Sequence, residues 1–159
     1  MKYNTEIKHR KLIIAVVLLQ LFPVVTNNLY AQAERKYIRK GNQLYEEKQY
    51  NDAGIQYLKS LEKKSGSKKA LFNLGDALYK QNNYQDAAYL FDSLRKIAPE
   101  QDRISSTYYN LGNSLLKMAK DSANQQGEAL QASIEAYKNA LRTNPADDDA
   151  KYNLAYAKR

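Results

Sequence analysis

Asn73-Leu74-Gly75-Asp76-Ala77-Leu78-Tyr79, followed by Tyr84-Gln85-Asp86-Ala87 and Phe91 and closed by Pro99, is the stretch that decides the fold. It recurs on both sides. Upstream, Arg39-Lys40-Gly41-Asn42-Gln43-Leu44-Tyr45 leads to Tyr50-Asn51-Asp52-Ala53 and Tyr57. Downstream, Asn110-Leu111-Gly112-Asn113-Ser114-Leu115-Leu116 leads to Leu130-Gln131-Ala132-Ser133, Tyr137, Ala140 and Pro145. Asn153-Leu154-Ala155-Tyr156 begins a fourth copy. Gly41 and Gly75 are 34 residues apart, Gly75 and Gly112 37. A period of this size marks a stacked array in which each unit buries its apolar face on the next.

The apolar spacing inside each unit is helical, and turn residues divide it in two. The expected helices cover about 34–48, 51–64, 68–81, 84–97, 103–120, 127–142 and 147–158. Gly41, Gly75 and Gly112 fall inside first helices. Glycine there costs about 0.5–1 kcal/mol relative to alanine, so close packing is the reason to expect it. The small residues set to face them are Ala53, Ala87 and Ser133. Ser65-Gly66-Ser67 closes the first unit, with Gly66 expected in the left-handed cap conformation. Asp147, Asp148 and Asp149 open the last helix, where acids favour the positive dipole end. The third unit is about nine residues longer than the others, and its Met118–Glu128 stretch predicts longer helices joined by an exposed polar loop.

Taken together, this pattern resembles the tetratricopeptide repeat (TPR) family over roughly residues 34–159. The hallmarks are the glycine of the first helix, the small residue of the second, large residues around both and the closing proline. The large residue expected four places into each unit is Tyr37, Leu71 or Tyr108. The resemblance implies an all-α solenoid of about three helix-turn-helix repeats, at 34–67, 68–101 and 105–147, with a cap helix at 148–159.

Ahead of the array stands a different kind of sequence. Lys2, Lys8, His9, Arg10 and Lys11 precede the mainly apolar Leu12–Val25, and Ala31-Gln32-Ala33 follows. A basic start, a short apolar run and small residues two apart describe a signal peptide over 1–33, removed after Ala33 or Ala31. The alternative is an uncleaved anchor, but a spanning helix needs about 20 apolar residues. Either way the expected location is outside the cytoplasm, periplasmic or on the membrane.

Composition excludes several functions. The chain has 159 residues, 14 tyrosines, no cysteine and one histidine, His9, inside the expected signal. No Cys or His nucleophile, base or metal ligand is left beyond it, so neither catalysis nor a metal or other cofactor is expected. Residues 34–159 carry 21 Lys+Arg and 16 Asp+Glu, a net 21 − 16 = +5. That mild excess, with export, argues against nucleic acid as a partner. Its densest cluster is Lys63, Lys64, Lys68 and Lys69.

The resemblance implies that the first helices line a concave, protein-binding face. The positions it selects are Ile38, Asn42, Tyr45 and Glu46; Phe72, Asp76, Tyr79 and Lys80; Tyr109, Asn113, Leu116 and Lys117; then Tyr152 and Tyr156. Chaperone-binding members grip a terminal carboxylate with two asparagines and several cations. Asn42 and Asn73 match the asparagines, but Ile38, Ser106 and Asn110 stand at the basic places, so no such clamp is expected. The ending, Asn144-Pro145-Ala146-Asp147 through Tyr152-Asn153-Leu154-Ala155-Tyr156-Ala157-Lys158-Arg159, looks like the exported TPR protein of bacterial Bat (aerotolerance) operons. That likeness implies von Willebrand A domain partners at the membrane. Two alternatives remain open. One is envelope polymer or lipid binding by the lysine cluster. The other is head-to-tail homo-oligomers through Tyr152 and Tyr156.

Overall fold

The computed structural model describes residues 31–97, 103–121 and 126–159, and every regular element in them is an α-helix. Residues 31–46 form α1. Then come α2 (Tyr50–Lys63), α3 (Lys68–Lys80), α4 (Tyr84–Ile97), α5 (Ile104–Asp121), α6 (Gln126–Thr143) and α7 (Asp148–Ala157). The expected export segment lies outside the described residues except for its last three. Residues 31–33 are already helical, so the expected domain start at Glu34 falls within the first turn of α1. Glu34 is buried there, and its carboxylate accepts a 2.6 Å hydrogen bond from Ser67 Oγ.

Helix starts follow local chemistry. Ser67 caps α3 by accepting from the Ala70 amide, and Asp147 caps α7 by accepting from the Ala150 amide at 2.9 Å. Asn83 accepts from the Asp86 amide at the start of α4. Such a cap satisfies an amide that the helix itself leaves unpaired. Asp147→Ala should therefore cost about 1 kcal/mol, read as a lower urea midpoint with early loss of α7 amide protection. The extra residues of the third unit lengthen α5 and α6 to 18 residues each, against 13 and 14 in the second unit. Residues 122–125 of the expected loop lie outside the described residues.

Each helix packs on the next in the chain. The first helices also approach one another, α3 with α5 and α5 with α7, whereas the backbones of α2, α4 and α6 stay further apart among the described residues. The array is thus tighter along its first helices, and that side is the concave one. Two contiguous cores fill it. One gathers Leu44, Ala53, Tyr57, Leu74 and Ala77; the other gathers Phe72, Ala87, Ala88, Phe91, Leu94, Leu111 and Ala136.

The recurring glycines receive aromatic rings. A Cβ built on Gly41 would stand 2.5 Å from Tyr57 Cε1, on Gly75 2.8 Å from Phe91 Cζ, and on Gly112 2.7 Å from Tyr137 Cε1. The groups facing the glycines are therefore Tyr57, Phe91 and Tyr137, one turn beyond the small residues. Ala53, Ala87 and Ser133 are themselves fully buried, and being small they let the second helix settle close enough for the ring to reach.

The left-handed residues are Lys48 (φ 61°) and Asn82 (φ 63°), at equivalent turns between first and second helices. Gly66 does not take a positive φ, which corrects the sequence expectation. The chain returns through Ser67, whose amide bonds to the Lys64 carbonyl, without a left-handed residue. Asparagine tolerates the left-handed region and lysine does so poorly. Lys48→Gly should raise stability by about 0.5–1 kcal/mol, measured as a higher midpoint of urea unfolding.

Candidate functional site

A hydrogen-bonded joint repeats along the concave side. The residue after each first-helix glycine is an acceptor: Asn42, Asp76 or Asn113. In the first unit Asn42 Oδ1 accepts from the Tyr57 hydroxyl at 3.0 Å and from Asn73 Nδ2 at 2.8 Å. In the third, Asn113 Oδ1 accepts from the Tyr137 hydroxyl at 2.8 Å and from Asn153 Nδ2 at 3.0 Å. The asparagine that precedes each Leu-Gly or Leu-Ala thus clips its unit to the one before. The second unit differs. Asp76 Oδ1 accepts from Asn110 Nδ2 at 2.6 Å, but the ring at the tyrosine place is Phe91, with no hydroxyl to give.

Around this irregular joint lies a cleft of about 270 Å³, lined by Asn42, Tyr45, Glu46, Tyr57, Lys69, Asn73, Asp76 and Arg103. Burial holds the Asp76 carboxyl at a pKa of about 7, well above the usual carboxylate range, although Arg103 and Lys80 pull it down. Burial, with the Asp76 charge second, pushes Tyr45 and Tyr57 up to about 12. Arg103 rests over the Phe72 ring, 5.4 Å from its centroid. The raised Asp76 pKa has a stability consequence. Between the ordinary carboxylate range and pH 7 the folded chain holds the proton more tightly than the unfolded chain. This carboxyl's contribution therefore falls as pH rises through that window and levels off above it. Asp76→Asn, the residue of the sister joints, should remove that slope and gain on the order of 2 kcal/mol at pH 8. Urea unfolding of both chains at pH 5 and pH 8 measures it.

The structure sorts the sequence-selected positions. Asn42, Tyr45 and Asp76 meet in the cleft. Tyr79 and Tyr109 are half-buried neighbours further along, and Tyr109 lies tilted against Tyr137. Asn113 is used up in its joint. Leu116 is half-buried and Tyr152 is 71% exposed; neither lines the cleft. Ile38 and Phe72 are corrections: they are 4% and 8% exposed and belong to the interior. Phe72 meets Phe91 edge to face, centroids 5.6 Å apart, because this place packs on the ring that fills the glycine notch. Sequence reasoning missed Arg103 and Lys69 in the cleft. Arg103 precedes α5, and its reach toward the first unit depends on how the repeats stack. Of the places expected to lack clamp cations, Ile38 is buried and Asn110 is spent on Asp76.

The lysine cluster disperses. Lys64 reaches Glu34 at 3.7 Å and Lys69 lines the cleft, and all four lysines are exposed. The Tyr156 hydroxyl accepts from Lys120 Nζ at 2.7 Å, and that ammonium lies 4.4 Å from the ring centroid. A second cleft, about 640 Å³ and more apolar, lies on the other side between α4 and α6; Tyr89, Tyr108, Leu111, Leu115, Met118 and Ala136 are among its walls.

Comparison with known proteins agrees with this geometry. Residues 44–108 match the tetratricopeptide repeat family model. No curated protein sequence matches the chain. Among solved structures, the first TPR of Spaghetti (RPAP3) bound to the HSP90 peptide SRMEEVD superposes with a TM-score of 0.69 at 16% identity, over 80% of this chain and 91% of that one. The Arabidopsis OM64 TPR domain gives 0.70 at 17% identity, over 81% and 97%. The second TPR domain of human RPAP3, in complex with the HSP70 peptide SGPTIEEVD, gives 0.67 at 16% identity, over 84% and 98%. Identities this low speak for a shared fold alone.

Proposed function

Because the chain is a tetratricopeptide repeat protein, we propose that it is a non-catalytic scaffold that holds an extended segment of a partner protein along its first-helix face. The observation that carries this reading is the cleft around Asn42, Tyr45, Asn73 and Asp76. It is concave, mixes aromatic rings with amides and both charge signs, and opens at the tight side of the array. Such a surface suits hydrogen bonding to a peptide backbone with a few apolar anchors. Two solved structures of the same fold carry short peptides, which supports the kind of ligand and not its sequence.

The scaffold works in the bacterial cell envelope under this proposal. The support is the basic start, short apolar run and Ala31-Gln32-Ala33 of the sequence. The partner class is a von Willebrand A domain membrane protein in an aerotolerance or stress complex, on the strength of the chain's ending.

Affinity capture from native envelope after mild crosslinking tests both parts. The bait is compared with a Glu46→Ser, Lys69→Ser, Arg103→Ser triple variant, whose changes are all at exposed side chains. The wild type should retain a von Willebrand A protein, and the variant should lose it at least about tenfold with helicity unchanged. Equal capture by both baits would move the site elsewhere. Recovery of polymer or lipid alone would favour the lysine cluster.

A further inference from the structure

The three joints of the concave side share one plan, and the second lacks a part. Asn42 and Asn113 each take two hydrogen bonds, one from a tyrosine of the same unit and one from an asparagine of the next. Asp76 takes the second kind only. Its other carboxylate oxygen receives no hydrogen bond among the described residues. Phe91 Cζ, which would carry that hydroxyl, lies against Gly75, and the adjacent Asp76 lines the cleft. Two substitutions therefore act together in one unit: the donor is gone, and the neutral acceptor is a carboxylate.

We propose that the Asp76 side of the cleft is a subsite for a lysine or arginine side chain of the bound segment, which supplies the donor that Phe91 lacks. The inference rests on the groove reading above. A neutral donor would fill the vacancy but leave a desolvated charge uncompensated, whereas an ammonium or guanidinium does both. The surrounding groups fit this. From α1, Tyr45 and Glu46 line the cleft; from α2, Tyr57; from α3, Lys69; and from the start of α5, Arg103. Lys80 of α3 also acts on Asp76 through space, α4 offers only the Phe91 ring there, and Asn110 is bonded already. Glu46 adds a second carboxylate to the wall. Arg103 is held over Phe72 and, like Lys80, acts on Asp76 through space without an ion pair among the described residues, so burial still outweighs both cations. The burial that keeps Asp76 protonated up to about pH 7 adds a signature: the subsite takes its cation above that pH and releases it below.

A random decapeptide library, displayed on phage and selected on the full-length chain at pH 8, tests this. Three baits are run in parallel: wild type, Asp76→Asn and Phe91→Tyr. Both variants copy what the sister units already carry at these places, so both should fold. Wild type should enrich Lys or Arg at one fixed position about tenfold or more. Asp76→Asn removes the charge and Phe91→Tyr restores the hydroxyl donor that the sister units direct at this acceptor, so each should abolish the enrichment. Selection at pH 5.5 should weaken it on wild type. Peptides selected without basic enrichment, or with enrichment that survives Asp76→Asn, would overturn the subsite and leave the groove standing. If no peptide is selected by any bait, the groove reading fails and the subsite with it.

Discussion

Replacing Tyr137 with alanine is expected to cost about 3–5 kcal/mol. The ring is fully buried and sits against Gly112, which has no side chain to fill the space it leaves. Its hydroxyl also holds Asn113, which in turn receives Asn153 of α7. The substitution therefore opens a void between α5 and α6 and loosens the cap in one step. Tyr137→Phe separates the two effects, since it keeps the ring and loses only the hydroxyl, for about 1 kcal/mol. Stability in a repeat array is close to a sum of units and their interfaces. Hydrogen exchange on Tyr137→Ala should accordingly show α5, α6 and α7 losing protection first. Uniform loss from α1 to α7 would mean that the chain unfolds as one block.

The second large effect is at Gly41. Alanine there is normally the better helix former by about 0.5–1 kcal/mol. Here its methyl would meet three atoms of the Tyr57 ring at 2.5–3.0 Å. That ring is 1% exposed and fastened at its far end by Asn42, so it cannot swing away. Overpacking should outweigh propensity and leave Gly41→Ala about 1–3 kcal/mol less stable. Gly54→Ala is the matched control. It lies within α2, and a Cβ there meets only the flexible end of Gln81 at 3.3 Å and Leu74 at 3.7 Å. It should be neutral or stabilising. Urea unfolding of both variants decides the point, and opposite signs are the expected result.

Why some of this was legible in the sequence and some was not has a physical basis. The repeat period, the helix limits to within a few residues and the Asp147 cap are local properties, carried by spacing and by side chains that bond within one turn. The array of first helices on one side is equally regular. What failed was non-local. Ile38 and Phe72 occupy places that look like groove positions along one helix, yet both are buried, and Phe72 packs on the Phe91 ring of the partner helix. Gly66 was expected to bear the left-handed turn, but that conformation falls at Lys48 and Asn82, where a first helix hands over to a second. Arg103 joins the first cleft only through stacking of one unit on another. The odd joint at Asp76 and Phe91 stands 15 residues apart in the sequence, and its meaning appears only once Asn42–Tyr57 and Asn113–Tyr137 are seen as bonded pairs.

The central claim is that a partner segment lies across the first-helix cleft. Site-specific photo-crosslinking in the native envelope tests it most directly, with a photoreactive residue placed singly at Glu46 or Arg103 on that cleft, or at Tyr89 on the opposite one. All three side chains are exposed, so the label should not disturb folding. Glu46 and Arg103 should join the same partner and Tyr89 none. Crosslinking from Tyr89 alone would assign binding to the apolar cleft between α4 and α6 and contradict the account.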